Sequence, residues 1–438
     1  MLERGYIHQC TDYAGLDRLM SLPCPSTSPT GGGSPVSPVS AYLGFDATAS
    51  SLHVGSLLQI MILRALQKSG HKPVVLLGGG TSKVGDPSGK DSARQLLTPE
   101  QITANASSLA KVFAKFLSFG DGPTDAVIVD NSSWLDELNY LDFLRDYGRH
   151  FTVNRLLTFD SVKTRLSREQ PLSFLEFNYI MLQSYDYLQL WRTRGVSLQI
   201  GGSDQWGNIV SGIELGRKVE QARLYGLTAP LITTAAGGKM GKTEGGAVWL
   251  NAEQLPAYDY WQFWRNTADA DVDRFLKLFT ELSLDKIASM SQWQGAQLNA
   301  AKVVLADEAT QMLHGAQCLP GIHSTVEALF AAHSSTGGAD LASLPVVQLG
   351  AEAVIKVRAA GQGLPVVELL VLAGMASSNS EARRLVRAGG ARVNDVKVGD
   401  EHAVVTASDF HLGGDSGEPQ QLKLSSGKKK HKVVVLAA

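Results

Sequence analysis

The 438-residue sequence has little cysteine and no long apolar run. Cys10, Cys24 and Cys318 lie far apart, which is typical of a reducing compartment and argues against a disulfide framework or a cysteine-based zinc site. The first residues, MLERGYIHQC, lack the apolar core of a secretion signal and the Arg and Ser content of a transit peptide. We therefore expect a soluble protein without a membrane partner, located in the cytoplasm, with the mitochondrial matrix or another organelle as the alternative.

An excess of charge of either sign is also missing. Lys and Arg number 40 against 42 Asp and Glu, so the bulk charge identifies no partner. Residues 381–438 hold ten basic and seven acidic residues, a local charge of +3, which leaves −5 for the rest of a chain of net charge −2. The C-terminal region is therefore the basic end of the chain.

The order of apolar patterns predicts the domain organisation. From residue 41 to about 230, short apolar runs such as 74–77 alternate with helical patterns such as 57–68, which is typical of a parallel sheet covered by helices. The predicted segments are an N-terminal helix at 1–20, a flexible Pro/Ser/Gly-rich insertion at 21–40, an α/β domain at 41–257 with a loop at 237–246, an α-helical domain at 258–335, a linker at 336–362 and a small α+β domain at 363–438.

The common glycine-rich phosphate motifs are both incomplete. GGGTSK has Lys83 where the dinucleotide fingerprint needs a third glycine, and GDPSGK is one residue too short for a P-loop. What remains is a strand, a loop of small residues and a helix that opens near His53. A helix N-terminus favours phosphate, and Gly44 and Gly55 would let a nucleotide lie close to the backbone. His53 would either donate to a phosphate or cap its own helix.

Two lysines occupy a glycine-flanked loop, GGKMGKTEGG. Lys239 and Lys242 stand three residues apart, so their ammonium groups could close over a polyphosphate and stabilise a leaving pyrophosphate. A solvated surface turn is the alternative.

A third group of polar residues lies in FNYIMLQSYDYLQL. Tyr179, Gln183 and Asp186 follow four-and-three spacing and share one helix face, which suits an α-ammonium and a phenolic hydroxyl better than a core. The stretch LQIGGSDQWGNI then ends a strand in a polar cluster at 203–205, as expected for a site at the carboxyl ends of parallel strands.

These motifs carry a resemblance to a known family. HVGS at 53–56 and KMGKT at 239–243 resemble the HIGH and KMSKS signatures of class I aminoacyl-tRNA synthetases. Together with YLGFDATASSLHVG, GDPSGK and GGSDQWGNI, they closely resemble the tyrosyl-tRNA synthetases of the bacterial and mitochondrial type. The resemblance covers nearly the whole chain outside 21–40. It implies a Rossmann-like catalytic domain, a helical tRNA-binding domain and a terminal αL RNA-binding domain.

The resemblance also implies substrates, partners and residue roles. The substrates are L-tyrosine, ATP and tRNA(Tyr), with Mg2+ on the ATP phosphates, no dedicated protein metal site, and a homodimer through the Rossmann-like domain. The implied tyrosine-binding residues are Tyr42, Asp86, Tyr179, Gln183, Asp186 and Gln205. The implied ATP-binding residues are Gly44, Asp46, Thr48, His53, Gly55, Ser56, Asp204 and Lys242. The implied catalytic residues are His53, Lys239, Lys242 and Thr243, and Lys90 and Arg94 would approach the phosphates or the tRNA end.

In the basic tail, the similarity to the αL module implies RNA-binding residues. These are Arg383, Arg384, Arg387, Lys428, Lys429 and Lys430. A solvated helix face with a basic terminus is the alternative interpretation.

The sequence departs from the family signatures at three positions. Ser56 replaces the second histidine of HIGH, and Gly241 and Thr243 replace two serines of KMSKS. We expect altered ATP contacts rather than an inactive site.

Three rival hypotheses stay open at this point. A tryptophanyl relative would share the fold but would not need the pair Tyr42 and Asp186. A catalytically silent RNA-binding protein would be expected to lose His53 or Lys242, and a Rossmann oxidoreductase is disfavoured by the incomplete glycine fingerprint.

Overall fold

The computed structural model of the chain describes residues 1–22, 38–88, 96–235, 237–238, 240–243, 246–331, 344, 346–359, 363–410, 420–427 and 430–436. The chain divides into two compact units. The first unit contains Met1–Gln254 and Thr267–Leu313, and the second contains Leu255–Asn266 and His314–Ala438.

The secondary structure alternates strands with helices over the first half of the chain. The strands are β1 (Gln9–Cys10), β2 (Ser40–Phe45), β3 (Lys72–Leu77), β4 (Val127–Asp130), β5 (Leu198–Gly202), β6 (Tyr225–Ala229), β7 (Lys242–Thr243), β8 (Gly246–Ala247), β9 (Val346–Gln348), β10 (Leu364–Pro365), β11 (Ala391–Val393), β12 (Val396–Lys397), β13 (Val404–Val405), β14 (Gln420–Ser426) and β15 (Lys430–Leu436).

The helices vary from single turns to one of 21 residues. They are α1 (Tyr13–Met20), α2 (Val54–Lys68), α3 (Pro99–Phe113), α4 (Ser132–Leu135), α5 (Tyr140–Asp146), α6 (Val153–Leu156), α7 (Asp160–Ser167), α8 (Phe174–Arg194), α9 (Trp206–Glu220), α10 (Ala257–Arg265), α11 (Val272–Phe279), α12 (Leu284–Ser291), α13 (Ala296–His314), α14 (Leu319–Ala331), α15 (Ala351–Arg358), α16 (Val366–Leu372) and α17 (Asn379–Arg387). Within the described ranges, no helix combines the length and apolar character needed to cross a membrane.

The main sheet of the first unit has the strand order β1-β6-β5-β2-β3-β4. Its strands are parallel except for β1, which runs antiparallel to β6. The chain proceeds outward from β2 through β3 to β4 and later occupies the other side with β5 and β6. The connections therefore diverge between β2 and β5, and such a divergence opens a crevice at the carboxyl ends of the strands.

The N-terminal segment differs from the predicted helix at 1–20. Only residues 13–20 are helical, and residues 9–10 form the antiparallel edge strand β1 instead. The backbone N–H of His8 donates to the Thr228 carbonyl and that of Thr11 to the Gly226 carbonyl. Pairing with the open edge of β6 therefore determines the conformation of this segment, and an apolar pattern does not reveal such pairing.

Helix α8 has a firmly anchored start. Ser173 and Glu176 form a reciprocal capping box, in which each side chain accepts a hydrogen bond from the other residue's backbone N–H. Glu176 also pairs with Arg165 at 3.4 Å, and the two side chains are 5% and 1% exposed. Arg165 donates a further hydrogen bond to the Pro171 carbonyl. These contacts fix the helix one turn before its first pocket residue.

The predicted helical domain at 258–335 is divided between the two units. Residues 267–313 belong to the first unit, because the guanidinium of Arg4 donates to the carbonyls of Lys277, Thr280 and Leu282 at the end of α11. A salt bridge between Arg64 of α2 and Glu281 adds to this attachment.

The predicted linker at 336–362 is partly wrong. Its described residues include β9, which pairs in parallel with β15, and α15, which contributes Ala353 and Val357 to the core of the second unit. The sheet there has the order β12-β11-β14-β15-β9. The predicted insertion at 21–40 lies mostly outside the described residues.

The stretch ARVNDVKV at 391–398 forms a hairpin of β11 and β12. Asn394 and Asp395 form its turn with φ of 47° and 67°. Left-handed backbone is tolerated by Asn and Asp more readily than by most residues, which explains the turn.

Candidate active site

A cavity of about 300 Å³ lies at the carboxyl ends of β2 and β5. It contains most of the site residues predicted from the sequence. These are Tyr42, Gly44, Asp46, Thr48, His53, Ser56, Asp86, Tyr179, Gln183, Asp186, Asp204 and Gln205. Residues from β2, from the first turn of α2, from one face of α8 and from the end of β5 therefore converge on one pocket.

Tyr42 and Asp186 lie in the fully buried part of the cavity wall. Tyr42 is 1% exposed, and its Oη has no hydrogen-bond partner among the described residues. Asp186 is 2% exposed and accepts hydrogen bonds from Asn131 Nδ2 at 2.9 Å and Trp134 Nε1 at 2.8 Å. Burial raises the pKa of Asp186 to about 7, although these two donors oppose the shift. The protein thus holds polar groups out of water where a ligand can meet them.

Asp46 is held from two sides. Tyr179 Oη donates to one carboxylate oxygen at 3.1 Å, and Thr81 Oγ1 donates to the other at 2.9 Å. Burial raises the pKa of the Tyr179 phenol well above its usual value, and the Asp46 and Asp86 carboxylates add to the shift. The predicted ATP residue Asp46 is therefore hydrogen-bonded to a predicted tyrosine residue.

A chain of side-chain amides crosses the pocket wall. Gln205 Nε2 donates to Asp86 Oδ2 at 2.8 Å. Asn208 Nδ2 donates to Gln205 Oε1 at 3.0 Å and to Gln183 Oε1 at 2.8 Å. The backbone N–H of Ser88 holds the second Asp86 oxygen at 2.8 Å. These bonds fix the orientation of the amide groups before any ligand binds.

His53 caps α2 and also lines the cavity. Its Nδ1 accepts the backbone N–H of Gly55 at 3.0 Å. In the neutral imidazole the proton is then on Nε2, which leaves that nitrogen as a donor. The two interpretations of His53 are therefore compatible in geometry. Gly55 itself does not line the cavity, because the backbone of Met240 lies against it.

Several predicted residues lie partly or wholly outside the described part of the chain. Lys242 and Thr243 form β7, which pairs with β8, but their side chains are not described. The residues wholly outside it are Cys24, Lys90, Arg94, Lys239, Lys428 and Lys429. Among the residues that are described, no cluster of three or more His, Cys, Asp or Glu could hold a metal ion.

The predicted RNA-binding arginines occupy α17 of the second unit. Arg383 and Arg384 are exposed. Arg387 forms two parallel hydrogen bonds of 3.0 Å with the Glu401 carboxylate. Lys430 is exposed at the start of β15. The family resemblance implied RNA binding by all three arginines, whereas the fold pairs Arg387 with a carboxylate.

Comparisons with known proteins separate the rival hypotheses. Residues 35–331 match the family of class I tRNA synthetases (W and Y), and residues 347–434 match the SYY-like C-terminal domain of tyrosine--tRNA ligase. The tyrosine--tRNA ligase of Rhodospirillum rubrum is 54% identical over 99% of this chain and 96% of its own. The chain belongs to the tyrosine--tRNA ligase family. The corresponding ligase of Caulobacter vibrioides is 54% identical over 98% of this chain and 94% of its own.

Solved structures agree with this assignment. A C-terminally truncated mitochondrial tyrosyl-tRNA synthetase from Aspergillus nidulans aligns with 75% of this chain and 92% of its own, with a TM-score of 0.64 and 28% identity. The predicted fold class, a Rossmann-like catalytic domain followed by helices and a small α+β domain, is thereby confirmed. The oxidoreductase and tryptophanyl hypotheses are wrong.

The sequence analysis missed several polar residues at this cavity. Asn131, the residue after β4, bonds both Asp186 and Thr81. Trp134 donates to Asp186, and Gln199 of β5 is paired in register with Tyr42 and lines the cavity. The polar Asn131 directly after an apolar strand was the available signal, because the carboxyl ends of parallel strands share one edge. Trp134 carried no such signal.

The raised pKa of Asp186 predicts a specific pH dependence of stability. The unfolded carboxyl titrates near pH 4, so its contribution to stability is fully present below that pH and is lost as the pH rises towards about 7. Asp186→Asn should not lose it, so the parent should lose roughly 2 kcal/mol or more relative to the variant between pH 4.5 and 7.5. Urea unfolding at both pH values measures this difference.

Asp146→Asn provides the control for this experiment. The hydrogen bond from Arg145 lowers the pKa of exposed Asp146, so its effect should be small and of opposite sign. Parallel pH profiles for the parent and Asp186→Asn would contradict the prediction.

Proposed function

We propose that this tyrosine--tRNA ligase uses the cavity to activate L-tyrosine with ATP before transfer to tRNA(Tyr). Two buried polar groups carry the assignment of the cavity: Tyr42 Oη, which has no partner among the described residues, and the Asp186 carboxylate. His53, which caps the N-terminus of α2, lines the same cavity. A buried polar atom without a partner is costly unless a ligand satisfies it. A phenolic hydroxyl both donates and accepts, and so satisfies both groups.

The α-ammonium group fits the carboxylate-rich middle of the pocket. Asp86 is oriented by Gln205 and by the Ser88 N–H, and Tyr179 and Gln183 lie on the same face of α8. Carboxylate and amide oxygens accept from an ammonium group, and the low dielectric of a pocket strengthens the attraction. The tyrosine ring is then bound at both ends.

The nucleotide occupies the mouth of the cavity. Exposed Gly44 leaves room beside β2, while Thr48, Ser56 and Asp204 supply hydroxyl and carboxylate groups for a ribose or an amino group. The N-terminus of α2 attracts phosphate, and His53 Nε2–H donates to it. Mg2+ enters bound to the ATP phosphates.

Positioning and charge stabilisation perform the chemistry. The tyrosine carboxylate oxygen attacks the α-phosphorus, the bond to the bridging oxygen breaks, and pyrophosphate leaves with that electron pair. Lys239, Lys242 and Thr243 of the loop close over the pyrophosphate and stabilise its charge. In the second step, a terminal ribose hydroxyl of the tRNA attacks the tyrosyl carbonyl, and AMP leaves.

Replacing Tyr42 by Phe tests the assignment of the hydroxyl end. The variant lacks one partner of the substrate hydroxyl, so its preference for tyrosine over phenylalanine should fall about tenfold while its KM for ATP stays unchanged. The measurement is amino-acid-dependent exchange of pyrophosphate into ATP, run with both amino acids.

Tyr187→Phe is the matched control for this substitution. Tyr187 packs 5.2 Å from Tyr42, but its hydroxyl donates to the Tyr225 carbonyl outside the cavity. Its loss should lower stability and leave selectivity unchanged. A Tyr42→Phe variant as selective as the parent would show that the pocket is misassigned, and a parent that supports no exchange with tyrosine would overturn the activation proposal.

The exposed basic side chains of the second unit support tRNA binding. Arg383 and Arg384 are consecutive residues of α17. Lys430, the first residue of β15, belongs to the same compact unit. The backbone of a folded RNA is a polyanion that such side chains bind with strong dependence on salt.

Arginine substitutions distinguish tRNA binding from the alternative that α17 presents only a solvated basic face. Changing both Arg383 and Arg384 to Ala should raise the KM for tRNA at least fivefold and reduce the slope of log affinity against log salt by about two. Arg387→Ala should have a smaller effect, because Glu401 already neutralises that side chain. Aminoacylation at several salt concentrations measures both effects. Pyrophosphate exchange is the internal control, and an unchanged tRNA KM would refute the assignment.

A homodimer is the third part of the proposal. The segment from the start of α5 to the first residue of α8 exposes a group of large apolar side chains. Their exposed fractions are Tyr140 55%, Leu141 73%, Val153 61%, Leu166 50% and Phe174 67%. We refer to this set of side chains as the apolar patch; exposed apolar groups concentrated in one segment favour an interaction site, and the same segment of a second copy can cover them across a two-fold axis.

Charged substitutions on this patch test the dimer. Leu141→Glu combined with Val153→Glu would bury two unpaired charges, so this variant should sediment as a monomer at concentrations at which the parent is a dimer. Leu2→Glu, at an equally exposed apolar position outside the patch, should leave the sedimentation unchanged. A parent that is monomeric, or a variant that stays dimeric, would exclude this interface.

The cytoplasm is the compartment that we propose for this protein. The bacterial relatives and the small number of cysteines support it.

A further inference from the structure

The loop with the second signature touches the helix with the first signature through two glycines. Gly241 has φ of +90°, and a Cβ built on it would lie 2.7 Å from Gly55 N and 2.7 Å from His53 Nδ1. A real Cβ does not approach a backbone nitrogen this closely. The glycine is therefore required by the contact as well as by its left-handed backbone.

The contact is equally close from the side of the helix. A Cβ on Gly55 would lie 2.8 Å from the Met240 carbonyl oxygen and 2.6 Å from His53 Cε1. Backbone hydrogen bonds of the loop resist the movement that such a Cβ would require. The N–H of Met240 donates to the Ile232 carbonyl at 2.9 Å, and the Gly241 carbonyl accepts the N–H of Val248 at 3.0 Å.

The same loop continues directly into the start of α2. The carbonyl of Val248 accepts the N–H of Val54 at 2.9 Å, between His53 and Gly55. Two successive hydrogen bonds thus tie Gly241 to Val248 and Val248 to the first helical residue. The orientation of the His53 imidazole and the path of the loop are set together.

We propose that Gly241 is a positioning residue for adenylate formation, which acts through His53. The inference rests on the proposed function. Because residue 241 has no side chain, the loop backbone can pack against the backbone nitrogen of Gly55 and against Nδ1 of His53. The imidazole ring therefore keeps its Nε2–H directed away from the helix. Lys242 follows in the chain and starts from the same fixed backbone. The glycine at a position where the family signature has serine is therefore a requirement of this contact.

The test replaces Gly241 by Ala and, to restore the signature, by Ser. Both variants should lower the kcat of tyrosine-dependent pyrophosphate exchange at least tenfold, with the KM for tyrosine within twofold of the parent. Gly70→Ala is the control for backbone strain, because Gly70 follows the same helix α2 with φ of +85° and has no described neighbour within 4 Å of its Cβ position. It should lower the melting temperature less than Gly241→Ala does, since only its positive φ is strained, and it should leave kcat unchanged.

A double-mutant cycle with His53→Asn tests whether Gly241 acts through the histidine. If it does, the variant carrying both His53→Asn and Gly241→Ala should be within about threefold of the slower single variant. Independent effects would multiply, and multiplied losses would overturn this part of the proposal.

The remaining outcomes also decide between explanations. Parental kcat in Gly241→Ala or a faster Gly241→Ser would overturn the positioning role. A much larger fall in melting temperature than in Gly70→Ala, with loss of tyrosine binding, would assign the glycine a structural role and overturn it as well. Failure of the proposed function is recognised separately, because the parent itself would then support no exchange with tyrosine.

Discussion

A carboxylate held out of water is the constraint on which the pocket depends. Asp186 is almost completely buried, and burial of such a group costs several kcal/mol unless donors surround it. Asn131, directly after β4, and Trp134 of α4 supply two of these donors. In the proposed function the tyrosine hydroxyl is a further donor, and selectivity follows from the cost of leaving the pocket groups without it.

Helix α8 transmits this constraint to the rest of the site. It carries Tyr179, Gln183 and Asp186 on one face towards the cavity, so its rotation and axial position set where these side chains lie in the pocket. The buried pair of Arg165 and Glu176 and the capping box at Ser173 hold the start of the helix. Such a pair adds little net stability but strongly disfavours any arrangement that separates its charges. It therefore serves to define one position for the helix.

Local sequence patterns predicted the features that depend only on residues close together in the sequence. The alternation of strands and helices and the shared face of Tyr179, Gln183 and Asp186 needed only periodicity. Two kinds of feature could not be obtained this way. The partners of Asp186 come from a segment more than 50 residues earlier, and the pairing of β9 with β15 joins segments that no local pattern connects. The pairing of Arg387 with Glu401 likewise depends on how the tail folds back on itself.

The parallel pairing of β9 with β15 also has a consequence for how the chain is made. Val346 and Val347 lie beside Val433 and Val434, so among the described strands the edge strand β9 pairs with β15 alone. A ribosome that has produced β9 must add more than 80 further residues, and release them from its exit tunnel, before these two strands can pair. The sheet is thus completed late in the synthesis of this unit. A product that ends before β15 leaves β9 without its partner and keeps an open sheet edge that can pair with other chains.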